Sequence, residues 1–238
     1  MIRPFRRAIG LMLAASFAAS TAHAVPTIGV DYLQFENGSR RGTITPGGGV
    51  LAGQFRFDVK DRGGVFWDDT LNAFCIDVTT RLDLGHVTYA FESASESSYL
   101  DTDGRQLSLI SQLYDKAASK LGAAKEDAAF QLALWEIIYD FHGPLSLTGG
   151  TFSATQFDGA RGVAQSWLDL LTVGADYASS RYEFFVLDPR CEDCTKDNQT
   201  LLTARRVPEA GAVGLLGIGL LMVGALRRRS RVSDLRRA

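Results

Sequence analysis

The chain has 238 residues and a net charge of −2 at pH 7. The charge is divided unevenly, because residues 25–206 hold 16 Lys plus Arg and 25 Asp plus Glu, a net charge of −9. An acidic domain argues against nucleic acid or anionic polysaccharide as a partner bound by general electrostatics. The sequence has no glycine-rich phosphate loop and no cluster of histidines, so we expect no cofactor and no metal.

The N-terminus predicts export. A basic start is followed by an apolar run, residues 8–19, and by the small-residue site Ala22-His23-Ala24. This order is typical of a secretory signal peptide. We therefore expect residues 1–24 to be removed by cleavage after Ala24, and the remainder to reach a compartment in which disulfides form.

The domain that follows, residues 25–203, changes character along its length. Segments such as GQFRFDVK and HVTYAFE, separated by turn signals such as TPGGG, predict strands up to about residue 99. Between about residues 105 and 171 the apolar periodicity predicts helices, and YEFFVLD and QTLLTA predict two closing strands. We expect an α+β fold, a single domain of mostly antiparallel β-structure with an inserted helical region. Residues 204–206 are expected to form a linker.

One strand of the β-rich part, in the segment NAFCIDV, carries Cys75. A cysteine in an apolar strand is commonly a buried and inert thiol. The other two cysteines, Cys191 and Cys194, lie three residues apart in a polar loop, and we expect them to form a local disulfide. A zinc site would need further Cys or His ligands, which the sequence does not place nearby.

A predicted helix, AAFQLALWEIIYDF, carries a polar residue on its apolar face. On a helical wheel Gln131 lies with Trp135 on the core side, whereas Glu136 and Asp140 point the other way. A buried amide without partners costs about 1–3 kcal/mol. We therefore expect Gln131 either to find hydrogen-bond partners or to be consumed chemically. Attack of a thiolate at Cys75 on the Gln131 carbonyl would release ammonia and leave an internal thioester.

The C-terminal region, residues 207–238, predicts a membrane-associated tail. Residues 210–226 are uncharged and are followed by Arg227, Arg228 and Arg229. At roughly 1.5 Å per residue this segment is about 25 Å long, a marginal span for a hydrocarbon core of about 30 Å. The arginines would stay on the cytoplasmic side and leave the domain outside.

This tail resembles the PEP-CTERM sorting signal of exported bacterial proteins. Val207, Pro208 and Glu209 match its motif, whereas Ala210 stands where a second proline is usual. The resemblance implies transient contact with the inner membrane and removal of the tail by an exosortase. It also implies a Gram-negative cell, usually one that makes exopolysaccharide, with the mature protein at the cell surface or in the extracellular matrix.

The central region resembles the Cys-Gln thioester domains of bacterial surface proteins, which often carry a TQXA motif. Phe74-Cys75-Ile76 matches the first half of the pattern and the segment from Phe130 to Trp135 matches the second, with Phe130 in place of the usual threonine. The resemblance implies that Cys75 and Gln131 are the reacting pair and that Phe74, Phe130 and Trp135 line their pocket. It further implies covalent attachment to an amine or hydroxyl of a partner, such as a protein lysine or a glycan. This happens once per molecule, so the protein is not expected to be an enzyme.

Two other interpretations of the same residues remain open. In the first, the protein is a noncatalytic component of the envelope or biofilm matrix, with Cys75 merely buried and Gln131 hydrogen-bonded to backbone. In the second, Cys75 is the nucleophile of a hydrolase or acyltransferase, with His86 or His142 as base and Asp77 as the orienting acid. Nothing in the spacing of these residues favours the second.

Overall fold

The computed structural model describes residues 25–191, 194 and 197–208. The predicted signal peptide with its cleavage site at Ala24, and the tail from Glu209 onward with its arginines, lie outside the described residues. In the part of the chain that is described, no helix has the length and apolar character needed to span a bilayer.

Six antiparallel strands close into a barrel, in the order β1-β4-β5-β9-β8-β6. Their sequences favour strands because buried and solvent-facing residues alternate, as in FRFDVKD, where Phe55, Phe57 and Val59 are buried. The barrel strands are β1 (Thr27–Phe35), β4 (Phe55–Asp61), β5 (Thr70–Cys75), β6 (His86–Ser93), β8 (Tyr182–Asp188) and β9 (Leu201–Arg206).

A second, three-stranded antiparallel sheet has the order β3-β2-β7. Its members are β2 (Arg40–Thr45), β3 (Gly48–Ala52) and β7 (Ser153–Gln156). The hairpin of β2 and β3 is inserted between barrel strands β1 and β4, whereas β7 comes from the helical region. This sheet therefore ties the helical insertion to the first part of the chain.

Three α-helices follow β6 before the chain returns to the barrel at β8. They are α1 (Arg105–Ala117), α2 (Ala124–Asp140) and α3 (Ala160–Leu168), with a short 3-10 helix, Ala118–Lys120, between the first two. The structure confirms the expected architecture of mostly antiparallel β-structure with an inserted helical region. Closure of the sheet into a barrel was not predicted.

Helix α2 is surrounded by other elements. It packs against α1, α3 and strands β2, β3 and β5, and every residue from Asp127 to Ile137 is buried. The expectation that Glu136 points away from the core is wrong, because Glu136 is fully buried. A helix covered on all sides has no solvent-facing stripe on which a polar residue can be placed.

Two further expectations are corrected at strand ends. Residues 204–206, expected as a linker, are the last three residues of β9, where Arg205 and Arg206 pair with Glu183 and Tyr182 of β8. The strand that contains Cys75 ends at that residue, whereas the sequence predicts that the whole segment NAFCIDV belongs to the strand.

Gly42 on β2 provides a test of the packing between the second sheet and the helical insertion. A Cβ atom at this buried position would overlap the ring of Phe157, which is itself fully buried and has a φ of 66°. We expect Gly42→Ala to lower the free energy of unfolding by about 1–3 kcal/mol, as overpacking does. Urea denaturation would measure it.

Gly49 is the matched control, because it lies on the partner strand β3 and a Cβ atom there would meet no atom within 4 Å. We expect Gly49→Ala to change the same free energy by less than about 0.5 kcal/mol. Equal effects of the two substitutions would show that loss of glycine, and not contact with Phe157, is responsible.

Candidate functional site

Cys75 is the last residue of β5 and is 1% exposed. It pairs with Leu201 of β9, and the next residue, Ile76, donates its backbone N–H to Thr200 at 3.0 Å. Successive residues of a strand direct their N–H and C=O groups to opposite neighbours. The N–H and C=O of Cys75 therefore face away from β9, toward the side of β4.

Strand β4 begins too late to pair with Cys75. Its first residue, Phe55, lies opposite Ala73, two residues before Cys75. The backbone groups of Cys75 are thus buried beside the sheet without a strand partner. A buried and unpaired peptide group costs about as much as a lost hydrogen bond, so another group has to satisfy it.

The side chain of Gln131 on α2 fills this place. The backbone N–H of Cys75 donates to Gln131 Oε1 at 2.9 Å, and Gln131 Nε2 donates to the Cys75 carbonyl oxygen at 2.7 Å. The amide pairs with Cys75 as a neighbouring strand residue would. The structure thus brings the two residues of the predicted thioester pair together, with Gln131 itself only 1% exposed.

The thiol of Cys75 donates to the backbone carbonyl oxygen of Asp77, with Sγ and O 2.7 Å apart. The carboxylate of Asp77 is occupied locally, where it accepts from the backbone N–H and the hydroxyl of Thr79 at 2.8 and 2.7 Å. Burial raises the pKa of the Cys75 thiol to about 12, and the bond to Asp77 offsets only part of this effect. The free thiol is therefore neutral at physiological pH.

The three predicted wall residues divide between two aromatic clusters. Phe74 stacks on Phe130 with ring centroids 4.7 Å apart, and Tyr114 approaches the edge of Phe130 at 4.8 Å. Trp135 packs instead against Phe152 at 6.1 Å. All three predicted wall residues are buried, so the site is dry and shielded from solvent.

Three side chains of α2 form a row, four residues apart, along the segment that follows β5. Gln131 holds Cys75 at one end, and at the other end the hydroxyl of Tyr139 accepts the backbone N–H of Val78 at 3.4 Å. Trp135 lies between them. Tyr139 was not identified from the sequence, although its spacing of eight residues from Gln131 is the signal that could have found it.

Neither histidine is a hydrogen-bond partner of Cys75 or Gln131 within the described residues. His86 Nδ1 lies 2.8 Å from Asp31 Oδ1 at the surface, and His142 lies 3.4 Å from Arg105. The arrangement of thiol, imidazole and carboxylate that a cysteine hydrolase needs is thus not assembled around Cys75.

The remaining predicted residues lie away from this pair. Cys191 and Cys194 form a disulfide with a Cα–Cα distance of 5.0 Å, within the usual range. Pro208 is exposed at the end of the described chain, while Glu209, Arg227, Arg228 and Arg229 fall outside it. Among the residues that the structure describes, no group of three or more His, Cys, Asp or Glu side chains is arranged to hold a metal ion.

A cavity of about 490 Å³ opens beside the segment that follows Cys75. Residues 78–82 form one side of it, and the aromatic rings of Tyr32, Phe35 and Phe55 are among the residues of the other side. Arg81 is the one charged residue among those that line it. The cavity is therefore largely apolar and begins three residues after Cys75.

Comparison with protein-family models, with curated proteins and with solved structures finds no match to this chain.

Glu136 is a third buried polar residue of α2, besides Asp127 and Gln131, and no pattern in the sequence indicates its burial. One carboxylate oxygen accepts the backbone N–H of Ser146 at 2.6 Å, whereas the other is buried without a partner. The pKa of Glu136 is raised from 4.5 to about 7, chiefly by burial and also by the nearby charge of Asp140, whereas the hydrogen bond from Ser146 lowers it. The folded protein therefore holds this proton to a higher pH than the unfolded chain does.

This difference predicts a pH-dependent stability. As the pH rises from about 4.5 to about 7, unfolded Glu136 loses its proton before folded Glu136 does, so stability falls across this window. Relative to Glu136→Gln, which does not titrate, we expect the wild type to lose on the order of 2 kcal/mol between pH near 5 and pH near 7.5. Urea denaturation of both proteins at both pH values would measure it, and parallel pH profiles would contradict the assignment.

Proposed function

We propose that this protein attaches covalently to a partner through an internal thioester between Cys75 and Gln131. The observation that carries the proposal is the pair of hydrogen bonds that fix the Gln131 amide on the backbone of Cys75. The side-chain carbonyl that would react is therefore held on the backbone of the residue whose thiol would attack it. Such positioning supplies much of what an intramolecular acyl transfer requires.

Thioester formation is an acyl transfer within the chain. The sulfur of Cys75 attacks the side-chain carbonyl carbon of Gln131, a C–S bond forms, the C–N bond breaks, and ammonia departs with the thiol proton. The reaction consumes no oxidant and needs no cofactor. Its only product besides the thioester is ammonia.

The backbone N–H of Cys75 has a second use in this reaction. It donates at 2.9 Å to Gln131 Oε1, the oxygen that becomes negatively charged in the tetrahedral intermediate. A donor fixed in advance at that position stabilises the intermediate. After ammonia has left, Oε1 can keep this hydrogen bond, whereas the Cys75 carbonyl oxygen loses the donor that Nε2 had supplied.

Burial keeps the thioester intact until a partner arrives. Cys75 and Gln131 are each 1% exposed, and a thioester without access to water is protected from hydrolysis. A partner amine or hydroxyl then attacks the Gln131 carbonyl carbon. An amide or ester bond forms, the C–S bond breaks, and the sulfur takes up the proton that the nucleophile loses. Each molecule reacts once, which is attachment and not turnover.

The cavity beside residues 78–82 is the approach route that this proposal favours. It is largely apolar and has room for a side chain. Its wall, residues 78–82, directly follows Asp77, whose carbonyl oxygen accepts a hydrogen bond from the Cys75 thiol. Displacement of this segment by a docking partner would expose the thioester to the incoming nucleophile.

The proposed setting is the cell surface or extracellular matrix of a Gram-negative bacterium. Export through the predicted signal peptide, residues 1–24, would deliver the domain, and exosortase processing of the predicted sorting signal, residues 207–238, would release it from the inner membrane. These steps rest on the sequence motifs alone.

A specific observation favours a second candidate function, that of a noncatalytic envelope or matrix protein. Gln131 already has good partners as an amide, and it completes a sheet edge that β4 leaves open. In this alternative the amide remains unreacted and Cys75 stays a neutral, buried thiol.

Intact mass separates the two candidates. We expect purified residues 25–206 to lack the mass of one ammonia, whereas the Cys75→Ala variant retains it. Incubation with methylamine should restore the thiol and add one methylamine at Gln131, because the amine opens the thioester. Mass spectrometry and peptide mapping would measure both changes.

Two other outcomes are informative. If Gln131 is recovered as glutamate in the wild type but not in Cys75→Ala, the thioester formed and was hydrolysed. If Gln131 is intact in a folded sample and methylamine is not incorporated, the attachment function is wrong and the structural candidate replaces it.

A further inference from the structure

Five buried side-chain polar atoms have no hydrogen-bond partner among the described residues, and one of them is the indole nitrogen of Trp135. Trp135 is only 3% exposed, so water cannot readily replace the missing acceptor. A buried N–H group without an acceptor is costly and calls for an explanation. The explanation lies in the neighbours of Trp135 on α2.

Trp135 occupies the middle of the row whose two ends are fixed by contacts. One turn before it, Gln131 holds the backbone of Cys75, and one turn after it, Tyr139 accepts the N–H of Val78. The indole belongs to the turn between these two contacts, and Trp135 lowers the pKa of the Cys75 thiol, as a hydrogen-bond donor close to the sulfur does. The sulfur is the acceptor that this position offers to the indole N–H.

We infer that the indole N–H of Trp135 donates to the Cys75 sulfur and stabilises the negative charge that this sulfur carries when it leaves Gln131. The leaving-group role rests on the proposed function, whereas the contact between indole and sulfur does not. Trp135 is then a catalytic residue and not only a wall of the pocket.

Cleavage of the C–S bond explains why the Cys75 sulfur needs a hydrogen-bond donor. When an amine attacks the Gln131 carbonyl carbon, the C–S bond breaks and its electron pair passes to Cys75 Sγ. The proton lost by the amine later reaches the same sulfur and restores the thiol. Until that transfer the sulfur is a thiolate in a dry site, where an unpaired charge is expensive and a fixed N–H donor is most effective.

None of the described groups that interact with the Cys75 sulfur is positively charged. The indole N–H therefore has no cationic competitor for the thiolate. Asp77 follows on the same segment, Tyr139 belongs to α2, and Tyr89 and Tyr99 approach from β6 and from the segment after it. Burial raises the pKa of each of these tyrosines, the charge of a thiolate at Cys75 raises it further, and Trp135 lowers the pKa of the thiol. Burial still dominates, so the thiol pKa stays near 12.

Alkylation of the freed thiol tests the contact directly. Wild type, Trp135→Phe and Tyr139→Phe are first treated with methylamine, so that Cys75 is free in each, and the rate of reaction with iodoacetamide is then measured near pH 8. Only the thiolate reacts, and one pKa unit changes its fraction about tenfold. We expect Trp135→Phe to react about tenfold more slowly than wild type, and Tyr139→Phe to match wild type.

The direction of the change separates this role from a structural one. If Trp135 only packs the site, its truncation loosens the pocket, and the buried thiol of Trp135→Phe reacts as fast as that of wild type or faster. Either result would overturn the inference. Tyr139→Phe removes one polar group from the same row of α2 and controls for general disturbance of this face.

A second measurement applies if Trp135→Phe does not fold. Incorporation of 5-fluorotryptophan keeps the shape of the ring and makes its N–H more acidic, so alkylation near pH 8 should be faster than in unlabelled protein. An unchanged rate would contradict the inference. If intact mass shows that wild type never loses ammonia, the attachment function is wrong, but Cys75 is then free from the start and both alkylation tests still decide the role of Trp135.

Discussion

The late start of β4 is the constraint on which the site depends. Because β4 begins opposite Ala73, the backbone N–H and C=O of Cys75 are buried at the end of β5 without a strand partner. An amide side chain can satisfy both groups at once, since it carries a donor and an acceptor side by side. Gln131 does so from α2. The need to satisfy the backbone N–H and C=O of Cys75 thus brings an amide carbonyl next to a cysteine.

The amide and the proposed thioester of Gln131 differ in how well they satisfy the backbone of Cys75. As an amide, Gln131 satisfies both backbone groups of Cys75; as a thioester, it keeps the bond from the N–H but leaves the carbonyl oxygen without Nε2. The acylated state is therefore less well satisfied than the amide at this sheet edge. Loss of the hydrogen bond from Nε2 raises the free energy of the proposed thioester state. Attachment to a partner would release this free energy.

Polar residues on α2 are explained by the contacts that a fully covered helix has to make. Asp127 accepts from Asn37 at 2.9 Å and from the backbone of Gly122 at 3.1 Å, which ties the start of the helix to the segment after β1. Gln131 joins the middle of the helix to β5, and Glu136 holds the segment at Ser146. Each of these buried polar groups holds a neighbouring segment, and Trp135 differs from them in having an N–H without a partner among the described residues.

The sequence by itself determined that a β-rich part is followed by a helical region and two closing strands, but not that β7 lies within the helical region. It also singled out Cys75 and Gln131, because alternation, helical periodicity and a misplaced amide are properties of short segments. It did not determine that six strands close into a barrel, that β9 extends to Arg206, that Glu136 is buried, or that Tyr139 reaches Val78. The tertiary structure decided these features. Strand register, barrel closure and the covering of a helix on all sides arise from contacts between segments far apart in the chain, and no local pattern encodes which of them will meet.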